Sequence, residues 1–290
     1  MKLVAHPACE PSAKNAFGKD TVFSERTFLR RARRLVLKVG TSTLSHASGE
    51  LNLGVIEHLA REISDLDSQG QEVLLVTSGA VGAGMGRLGR KNRTHDLSEK
   101  QALAAVGQGV LMHIYEKFFA EYGKVVAQVL LTREDFDNGP RAQNSRSTLL
   151  RLLDWGVIPV INENDTVAVE EIQLGDNDTL SAMVATLVGA DLLLILSDVD
   201  GLYTADPRRE PGARLLDRAD LADLPVISAG GSGSDLGTGG MVTKLTAARL
   251  ALAAGVPMVL AGGSRPGIIR EVMAGERIGT LFLNSRGVDE

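Results

Sequence analysis

The chain has 290 residues, of which 44% are apolar and 23% are charged, and Cys9 is the single cysteine. This composition excludes a disordered chain, a fibre, a disulfide framework and a cysteine-based zinc site. The apolar runs have the length of strands and are far shorter than the roughly 20 residues that span a bilayer. We therefore expect a cytoplasmic globular protein, built as one large α/β domain or as two lobes that share a sheet.

Charge is unevenly distributed along the chain. Residues 1–34 contain eight basic and three acidic side chains, whereas residues 35–290 contain 23 basic and 33 acidic ones. The acidic body argues against nucleic acid as the main partner, because phosphate backbones bind to basic surfaces. The arginines between Arg26 and Arg34 are compatible with an RNA-binding arm or a targeting segment. We favour a flexible N-terminal extension over residues 1–33, since the apolar core of a secretory signal is missing.

Six apolar segments predict buried strands, and segments with helical spacing lie between them. Val, Ile and Leu fill these runs with little alternation, which is typical of strands covered on both faces. Because strands and helices alternate, we predict an α/β fold, a three-layer α/β/α sandwich with a mostly parallel central sheet. The predicted strands are Leu35–Val39, Val73–Val76, Val125–Val129, Val157–Ile161, Leu192–Leu196 and Pro257–Leu260.

Small, polar and acidic residues follow most of these strands. In open parallel sheets, ligands bind at the carboxyl ends of the strands, so these positions predict an active site. Lys38 interrupts the first apolar run. A lysine there either reaches water from an edge strand or projects towards the oxygens of a phosphate. Gly40 would let the backbone approach such a ligand closely.

Two further strand ends contain groups that suit charged ligands. The turn Ser78-Gly79-Ala80 offers backbone N–H groups to an anion, or serves as an ordinary helix N-cap. Acids and amides cluster at 162–165 and again at 175–178. Such clusters can hold an ammonium group, order lysines or ligate Mg²⁺, or they form a polar loop that caps a helix starting near Thr179.

Several common sites are not supported. The segment Gly84–Gly89 matches G-x-G-x-x-G, but it starts eight residues after the strand end at Val76 and so lacks the context of a dinucleotide loop. A Walker A motif and a G-x-S-x-G motif are absent, and the five histidines lack the spacing of metal ligands. We predict no protein-held metal and no covalent nucleophile. The glycine-rich segment 228–240 predicts a flexible linker or a backbone cradle for an anion.

Phosphoryl transfer fits the residues that are left, because it requires positioning and charge neutralisation rather than covalent chemistry. Lys38 and Lys244 could approach the transferring group from opposite sides and offset the charge on its oxygens. Asp178 would hold the two ammonium groups by ion pairing. Mg²⁺ would accompany the phosphates of the nucleotide.

The sequence contains six motif blocks in the order Leu37–Ser42, Val76–Ala80, Ile161–Asp165, Gly175–Asp178, Ser197–Pro207 and Gly237–Lys244. Together they resemble the glutamate 5-kinases, a branch of the amino acid kinase family. The likeness extends from about Arg34 to about Leu283. The Asn-Glu-Asn-Asp and Gly-Asp-Asn-Asp pair distinguishes this branch from acetylglutamate, aspartate, uridylate and carbamate kinases.

The resemblance implies ATP-dependent phosphorylation of the γ-carboxylate of L-glutamate, the first step of proline biosynthesis, with Mg²⁺ accompanying ATP. The implied catalytic residues are Lys38, Lys244 and Asp178. Substrate binding is implied for Ser78, Gly79, Ala80, Asp165 and Asn177. Nucleotide binding is implied for Lys38, Ser197, Asp198, Thr238, Gly239, Gly240, Met241, Val242, Thr243 and Lys244.

The resemblance also implies a domain organisation and partners. Residues 34–290 would form the kinase domain, with a glutamate-binding part at about 34–175 and a nucleotide-binding part at about 176–285. Many bacterial members carry a C-terminal PUA domain, which we do not expect here. L-Proline is the expected feedback inhibitor, and we also expect a homo-oligomer and channelling to glutamyl-phosphate reductase. The alternatives are another small-acid kinase of the same fold and a catalytically silent sensor of proline or glutamate.

Overall fold

The computed structural model describes residues 26–46, 49–90, 96–137, 139–168, 177–207, 209–220 and 240–284. Its strands are β1 Arg34–Val39, β2 Glu72–Val76, β3 Val125–Leu131, β4 Val157–Glu163, β5 Leu192–Ser197, β6 Arg218–Asp220, β7 Met258–Gly262 and β8 Thr280–Leu283. Its α-helices are α1 Thr41–Leu44, α2 Leu53–Ser68, α3 Ala80–Arg87, α4 Leu97–Glu121, α5 Pro140–Asp154, α6 Asn177–Val188, α7 Met241–Ala253 and α8 Ile268–Met273.

The eight strands form one sheet in the order β3-β4-β2-β1-β5-β7-β8-β6. All neighbouring pairs are parallel except β7 and β8, which are antiparallel. The predicted α/β class with a mostly parallel sheet is therefore confirmed. Each of the six predicted strands is present, and β6 and β8 are additional.

Alternation along the strands divides the core into two layers. In β1, Leu35 and Leu37 pack in the layer of α2, α3, α4 and α8, whereas Val36 packs in the layer of α5, α6 and α7. The same alternation applies to β2 and β5. Because successive side chains of a strand point to opposite faces, this pattern decides which helices each polar residue at a strand end can meet.

Residues 26–33 pack against the body of the protein, which corrects the expectation of a flexible extension up to residue 33. A short 3₁₀ helix spans Thr27–Arg31, and Leu29 is completely buried. The Arg26 side chain is 2% exposed. Its guanidinium donates hydrogen bonds to the Asp217 carboxylate and to the backbone oxygens of Asp217, Glu276, Ile278 and Gly279. Burial lowers the pKa of the Arg26 guanidinium, and the Asp217 carboxylate opposes that shift.

Gly84, the first glycine of the G-x-G-x-x-G match, lies inside helix α3, where α3 packs against α4. A Cβ atom added to Gly84 would lie 2.0 Å from the carbonyl oxygen of Leu103, and one added to Gly107 would lie 1.7 Å from that of Ala80. These glycines therefore permit a close helix crossing, and the segment does not form a strand-to-helix nucleotide loop. Among the helices described, none is both long and apolar enough to cross a membrane.

Candidate active site

The two lysines singled out in the sequence meet at one carboxylate. The Lys38 ammonium pairs with Oδ1 of Asp178, and the Lys244 ammonium lies 3.2 Å from Oδ2 of the same side chain. Asp178 is fully buried, while Lys38 and Lys244 are 3% and 6% exposed. The three side chains together carry one formal positive charge in a poorly hydrated place, where an anion is strongly attracted.

Strand alternation explains why these groups meet. Lys38 follows Leu37 in β1, so it lies on the face of the sheet that is covered by α6 and α7. Asp178 is in the first turn of α6, and Lys244 is in the first turn of α7. The start of each helix therefore brings its charged side chain to the end of β1.

The alternative that Lys38 lies on an edge strand is wrong. β1 pairs with β2 on one side and with β5 on the other, so Lys38 lies in a central strand opposite Val76 and Ile195. The alternative that Asp178 only caps a helix does not explain its contacts. Asp178 lies in the first turn of α6, and its carboxylate binds both lysines. Its Oδ2 accepts a hydrogen bond of 2.9 Å from the Thr243 hydroxyl, in addition to the contact with Lys244.

The turn after β2 lies beside the amide of Asn177. Gly79 is the N-cap of α3 and has a φ of 94°, a left-handed conformation that favours glycine. The Asn177 amide nitrogen donates to the Ser78 hydroxyl at 2.8 Å and to the Thr77 carbonyl oxygen at 2.7 Å. The structure thus brings together Ser78, Gly79, Ala80 and Asn177, four of the five predicted substrate-binding residues.

Asp165, the fifth, lies in the turn that follows β4. Burial, and to a lesser extent the nearby Glu163 carboxylate, raises the pKa of Asp165 to about 6. A half-buried carboxylate with a raised pKa gains from a positively charged partner. A cation beside Asp165 would therefore favour the ionised form of its carboxyl group.

The predicted nucleotide-binding residues lie at the end of β5 and the start of α7. Ser197 is buried and donates a hydrogen bond of 3.0 Å to the exposed Asp198 carboxylate. Gly240 is the N-cap of α7, and Met241, Val242, Thr243 and Lys244 form its first turn. Thr238 and Gly239 lie outside the described residues, as do Gly175 and Asp176 of the Gly-Asp-Asn-Asp block.

Sequence analysis missed a set of buried polar residues behind this site. Gln108 and Tyr115 of α4 are 7% and 0% exposed, and they hydrogen-bond Asn162 and Thr77, respectively. Burial in apolar surroundings raises the pKa of the Tyr115 phenol to about 12. In the sequence, only their spacing of seven residues, which puts them on one face of a helix, indicates that the two side chains belong together.

Outside this cluster, the described residues include a further cavity but no group of metal ligands. Within the described ranges, no group of three or more His, Cys, Asp or Glu side chains could hold a metal ion. A cavity of about 180 Å³ lies away from the lysines, between α2 and the segment after β7. Asp178 with its two lysines is therefore the chemically distinctive cluster of the described chain.

The sequence matches known proteins over most of its length. Residues 33–262 match the amino acid kinase family. A protein named glutamate 5-kinase from Symbiobacterium thermophilum is 57% identical over 265 residues, which cover 89% of this chain and 98% of the relative. A glutamate 5-kinase from Moorella thermoacetica is 58% identical over 89% of this chain and 68% of the relative.

Solved structures show the same fold at low sequence identity. UMP kinase from Bacillus anthracis superposes with a TM-score of 0.60 at 19% identity, covering 88% of this chain and 97% of that one. Isopentenyl phosphate kinase of T. acidophilum gives a TM-score of 0.60 at 19% identity, covering 86% and 99%. From the family match and the identity to its relatives, the chain belongs to the amino acid kinase family.

Proposed function

We propose that the protein is a glutamate 5-kinase, which transfers the γ-phosphoryl group of ATP to the γ-carboxylate of L-glutamate. The observation that carries the proposal is the convergence of Lys38 and Lys244 on the buried Asp178. Relatives named glutamate 5-kinase, at 57% and 58% identity, support this substrate over the other acids of the family.

The reaction needs charge neutralisation more than proton transfer. A γ-carboxylate is already ionised at neutral pH, so one of its oxygens can attack the γ-phosphorus without a general base. The bond from phosphorus to the β–γ bridging oxygen breaks, and ADP leaves with the electron pair. Lys38 and Lys244 would stabilise the charge on the transferring group, with Asp178 holding both ammonium groups in place. Mg²⁺ enters with the phosphates of ATP as part of the substrate.

Glutamate would bind beside the turn after β2. Ser78, Gly79 and Ala80 offer a hydroxyl and backbone N–H groups to a carboxylate. Asp165 and the Asn177 carbonyl oxygen would accept hydrogen bonds from the α-ammonium group. Among the described residues, this buried oxygen has no hydrogen-bond partner, so it is suited to a ligand donor.

ATP would lie along the ends of β5 and α7. Ser197 and Asp198 supply polar groups at the first of these ends, and Thr238, Gly239 and Gly240 lead to the second. The first turn of α7, from Met241 to Lys244, would offer its N–H groups and the positive end of the helix dipole to the phosphates, as anion sites at helix starts do. We keep the proposed division into a glutamate-binding part at 34–175 and a nucleotide-binding part at 176–285.

The partners proposed for the chain follow from the same assignment. L-Glutamate is the substrate and L-proline the feedback inhibitor. A homo-oligomer, channelling to glutamyl-phosphate reductase and a cytoplasmic location are further proposals.

An assay of acyl phosphate formation tests the function. The purified protein is incubated with L-glutamate, ATP and Mg²⁺, and ADP release is followed together with trapping of the product by hydroxylamine. We expect glutamate-dependent turnover well above that with L-aspartate or N-acetyl-L-glutamate, and loss of about 100-fold or more in kcat for Lys244→Ala. Turnover with aspartate or N-acetylglutamate instead would assign another kinase of this fold, and ligand binding without turnover would indicate a sensor.

A further inference from the structure

One face of α4 holds three polar side chains at intervals of seven residues: Gln101, Gln108 and Tyr115. Each hydrogen-bonds a segment that carries a proposed glutamate-binding residue. The Gln101 amide donates to the Ala168 carbonyl oxygen at 3.0 Å, in the turn that contains Asp165. The polar face of α4 therefore supports the glutamate side of the site from behind.

The other two contacts are direct consequences of strand alternation. Thr77 follows Val76, so it lies on the α4 side of the sheet, where its hydroxyl is 2.8 Å from the Tyr115 hydroxyl. Asn162 has the same parity as Val160, whose side chain packs in the layer of α4. Its amide nitrogen donates to Gln108 Oε1 at 2.9 Å.

The orientation of the Asn162 amide is determined by its partners. The backbone N–H of Glu163 can only donate, and it lies 2.9 Å from Asn162 Oδ1, so the oxygen must face it. The nitrogen then faces Gln108, which must present its oxygen. Gln108 thereby holds Asn162 with its oxygen available to a second donor.

That second donor is Asn177. Its amide nitrogen lies 2.9 Å from Asn162 Oδ1, and it also faces the Ser78 hydroxyl and the Thr77 carbonyl oxygen, which can only accept, so its two hydrogens are shared among three acceptors. With the nitrogen fixed in this way, the Asn177 carbonyl oxygen is directed away from these three acceptors. A chain of amides therefore runs from Gln108 through Asn162 to Asn177.

We propose that Gln108 is a positioning residue, which acts through Asn162 to hold the Asn177 carbonyl oxygen towards the α-ammonium group of glutamate. The inference rests on the proposed function, because it assigns the ligand of Asn177. Gln108 belongs to the middle of a helix and has no contact with the lysines among the hydrogen bonds described. Its effect is therefore on glutamate and not on ATP.

The burial of Gln108 favours this role over a purely structural one. The side chain is 7% exposed, and its Nε2 atom finds no hydrogen-bond partner in the part of the chain that the structure describes. A buried amide with one unsatisfied group costs free energy, so an apolar side chain would serve packing better. The function of the amide is instead to orient Asn162.

Three variants test the proposal by steady-state kinetics with each substrate varied in turn. Gln108→Met removes the amide but keeps a side chain of similar length. Gln108→Asn keeps the amide but shortens the side chain by one methylene group, which moves the amide away from Asn162. For both, we expect the KM for glutamate to rise about tenfold or more, the effect typical of losing a residue that orients a ligand group, with the KM for ATP within about twofold. Gln108→Glu keeps an oxygen for Asn162 and should retain a glutamate KM within about threefold of the wild-type value.

Gln71→Met is the matched control, because Gln71 has a buried amide oxygen and lies just before β2, away from the strand end that leads to Thr77. An unchanged glutamate KM in folded Gln108→Met or Gln108→Asn overturns the proposal. So does a rise in both KM values accompanied by a lower Tm, because that pattern would indicate a loss of stability alone. Gln71→Met removes a buried amide away from the proposed site and should leave both KM values unchanged. If the wild-type protein does not phosphorylate glutamate, the proposed function is wrong. If the wild type is active and the Gln108 variants have its KM for glutamate, only the positioning role is wrong.

Discussion

At the scale of the residue, the site is governed by a single carboxylate between two cations. Asp178 is fully buried, and removing its charge would leave the Lys38 and Lys244 ammonium groups close together with little water. Breaking a buried ion pair by removing one partner is far more costly than breaking one on the surface. The same carboxylate therefore contributes to both folding and catalysis.

Asp178→Asn tests this dependence, because it keeps the shape of the side chain and removes its charge. We expect a loss of about 3–5 kcal/mol in the free energy of unfolding, measured with urea. In the folded fraction, kcat should fall about 100-fold or more, since the lysines lose their fixed positions. The control is Asp154→Asn, whose carboxylate forms an exposed pair with Arg151. Equal stability of the two variants would show that Asp178 does not balance the lysines.

Asp165 predicts a dependence of glutamate binding on pH. Its pKa is raised to about 6, so the carboxyl group is mostly protonated below that pH and cannot pair with an ammonium group. The KM for glutamate should therefore rise as the pH falls from about 8 to about 5, a range in which the substrate γ-carboxylate stays largely ionised.

The KM for glutamate is measured at saturating ATP and Mg²⁺ across this range, in the wild type and in Asp165→Asn. The variant lacks the titrating group, so its glutamate KM should be high and nearly independent of pH. A variant that retains the wild-type pH profile would assign the titration to another group.

Much of the charged site could be predicted from residues alone, whereas its support could not. A lysine within an apolar strand is conspicuous, and the rule that ligands bind at strand ends points to Lys38, while the cluster of acids and amides at 175–178 points to Asp178. Gln108 and Tyr115 carry no such signal, because polar residues at intervals of seven in a helix usually face solvent. Their burial depends on which side of the sheet α4 covers, and that is a property of the whole fold.

At the scale of the element, the crossing of α3 and α4 positions the substrate turn. Gly107 lies against the carbonyl group of Ala80, which belongs to that turn, and Gly84 lies against α4 in the same crossing. Neither contact leaves room for a Cβ atom. The distance between the two helices therefore sets the position of the Ser78-Gly79-Ala80 backbone.

Gly107→Ala should separate these helices, because the new Cβ atom would lie 1.7 Å from the Ala80 oxygen. We expect a loss of about 3 kcal/mol in the free energy of unfolding, at the upper end for overpacking since a backbone group must move. The KM for glutamate should rise as the turn shifts. Thermal unfolding and steady-state kinetics measure the two effects.

Gly109→Ala is the matched control in the same helix. An added Cβ atom there meets nothing within 4 Å, so the change should be neutral or stabilise the protein by about 0.5–1 kcal/mol through higher helix propensity. If both variants have the same stability, the α3–α4 crossing tolerates side chains and does not fix the turn.

At the scale of the whole molecule, one sheet joins the two proposed halves of the enzyme. β1 carries Lys38 and pairs with β2 on the glutamate side and with β5 on the nucleotide side. The site therefore lies at the middle of eight strands. Sequence patterns identified the six longer strands, but β6 and β8 have only three and four residues and too little periodicity to be recognised.

Arg26 stabilises the edge of that sheet formed by β8 and β6. β8 runs antiparallel to β7, and β6 pairs only with β8 among the described strands, so this edge has few partners of its own. The Arg26 guanidinium binds the backbone on either side, at Asp217 just before β6 and at Gly279 just before β8. The basic cluster in the sequence did not reveal which of its arginines is buried, because that depends on these distant carbonyl groups.

Arg26→Met should therefore weaken the fold as a whole. Methionine fills much of the volume, but it leaves the four backbone oxygens that accept from the guanidinium without this donor, so we expect a loss of about 3–4 kcal/mol in the free energy of unfolding. Arg31→Met is the control; Arg31 is exposed in the same 3₁₀ helix, and its replacement should change stability by less than about 0.5 kcal/mol. Urea unfolding compares the two variants under identical conditions.

Since Arg26 is not part of the proposed site, the KM values of the folded Arg26→Met enzyme should match the wild type. A stable Arg26→Met variant would mean that the β8 edge holds without the N-terminal segment, and altered KM values would mean that this edge is coupled to the site.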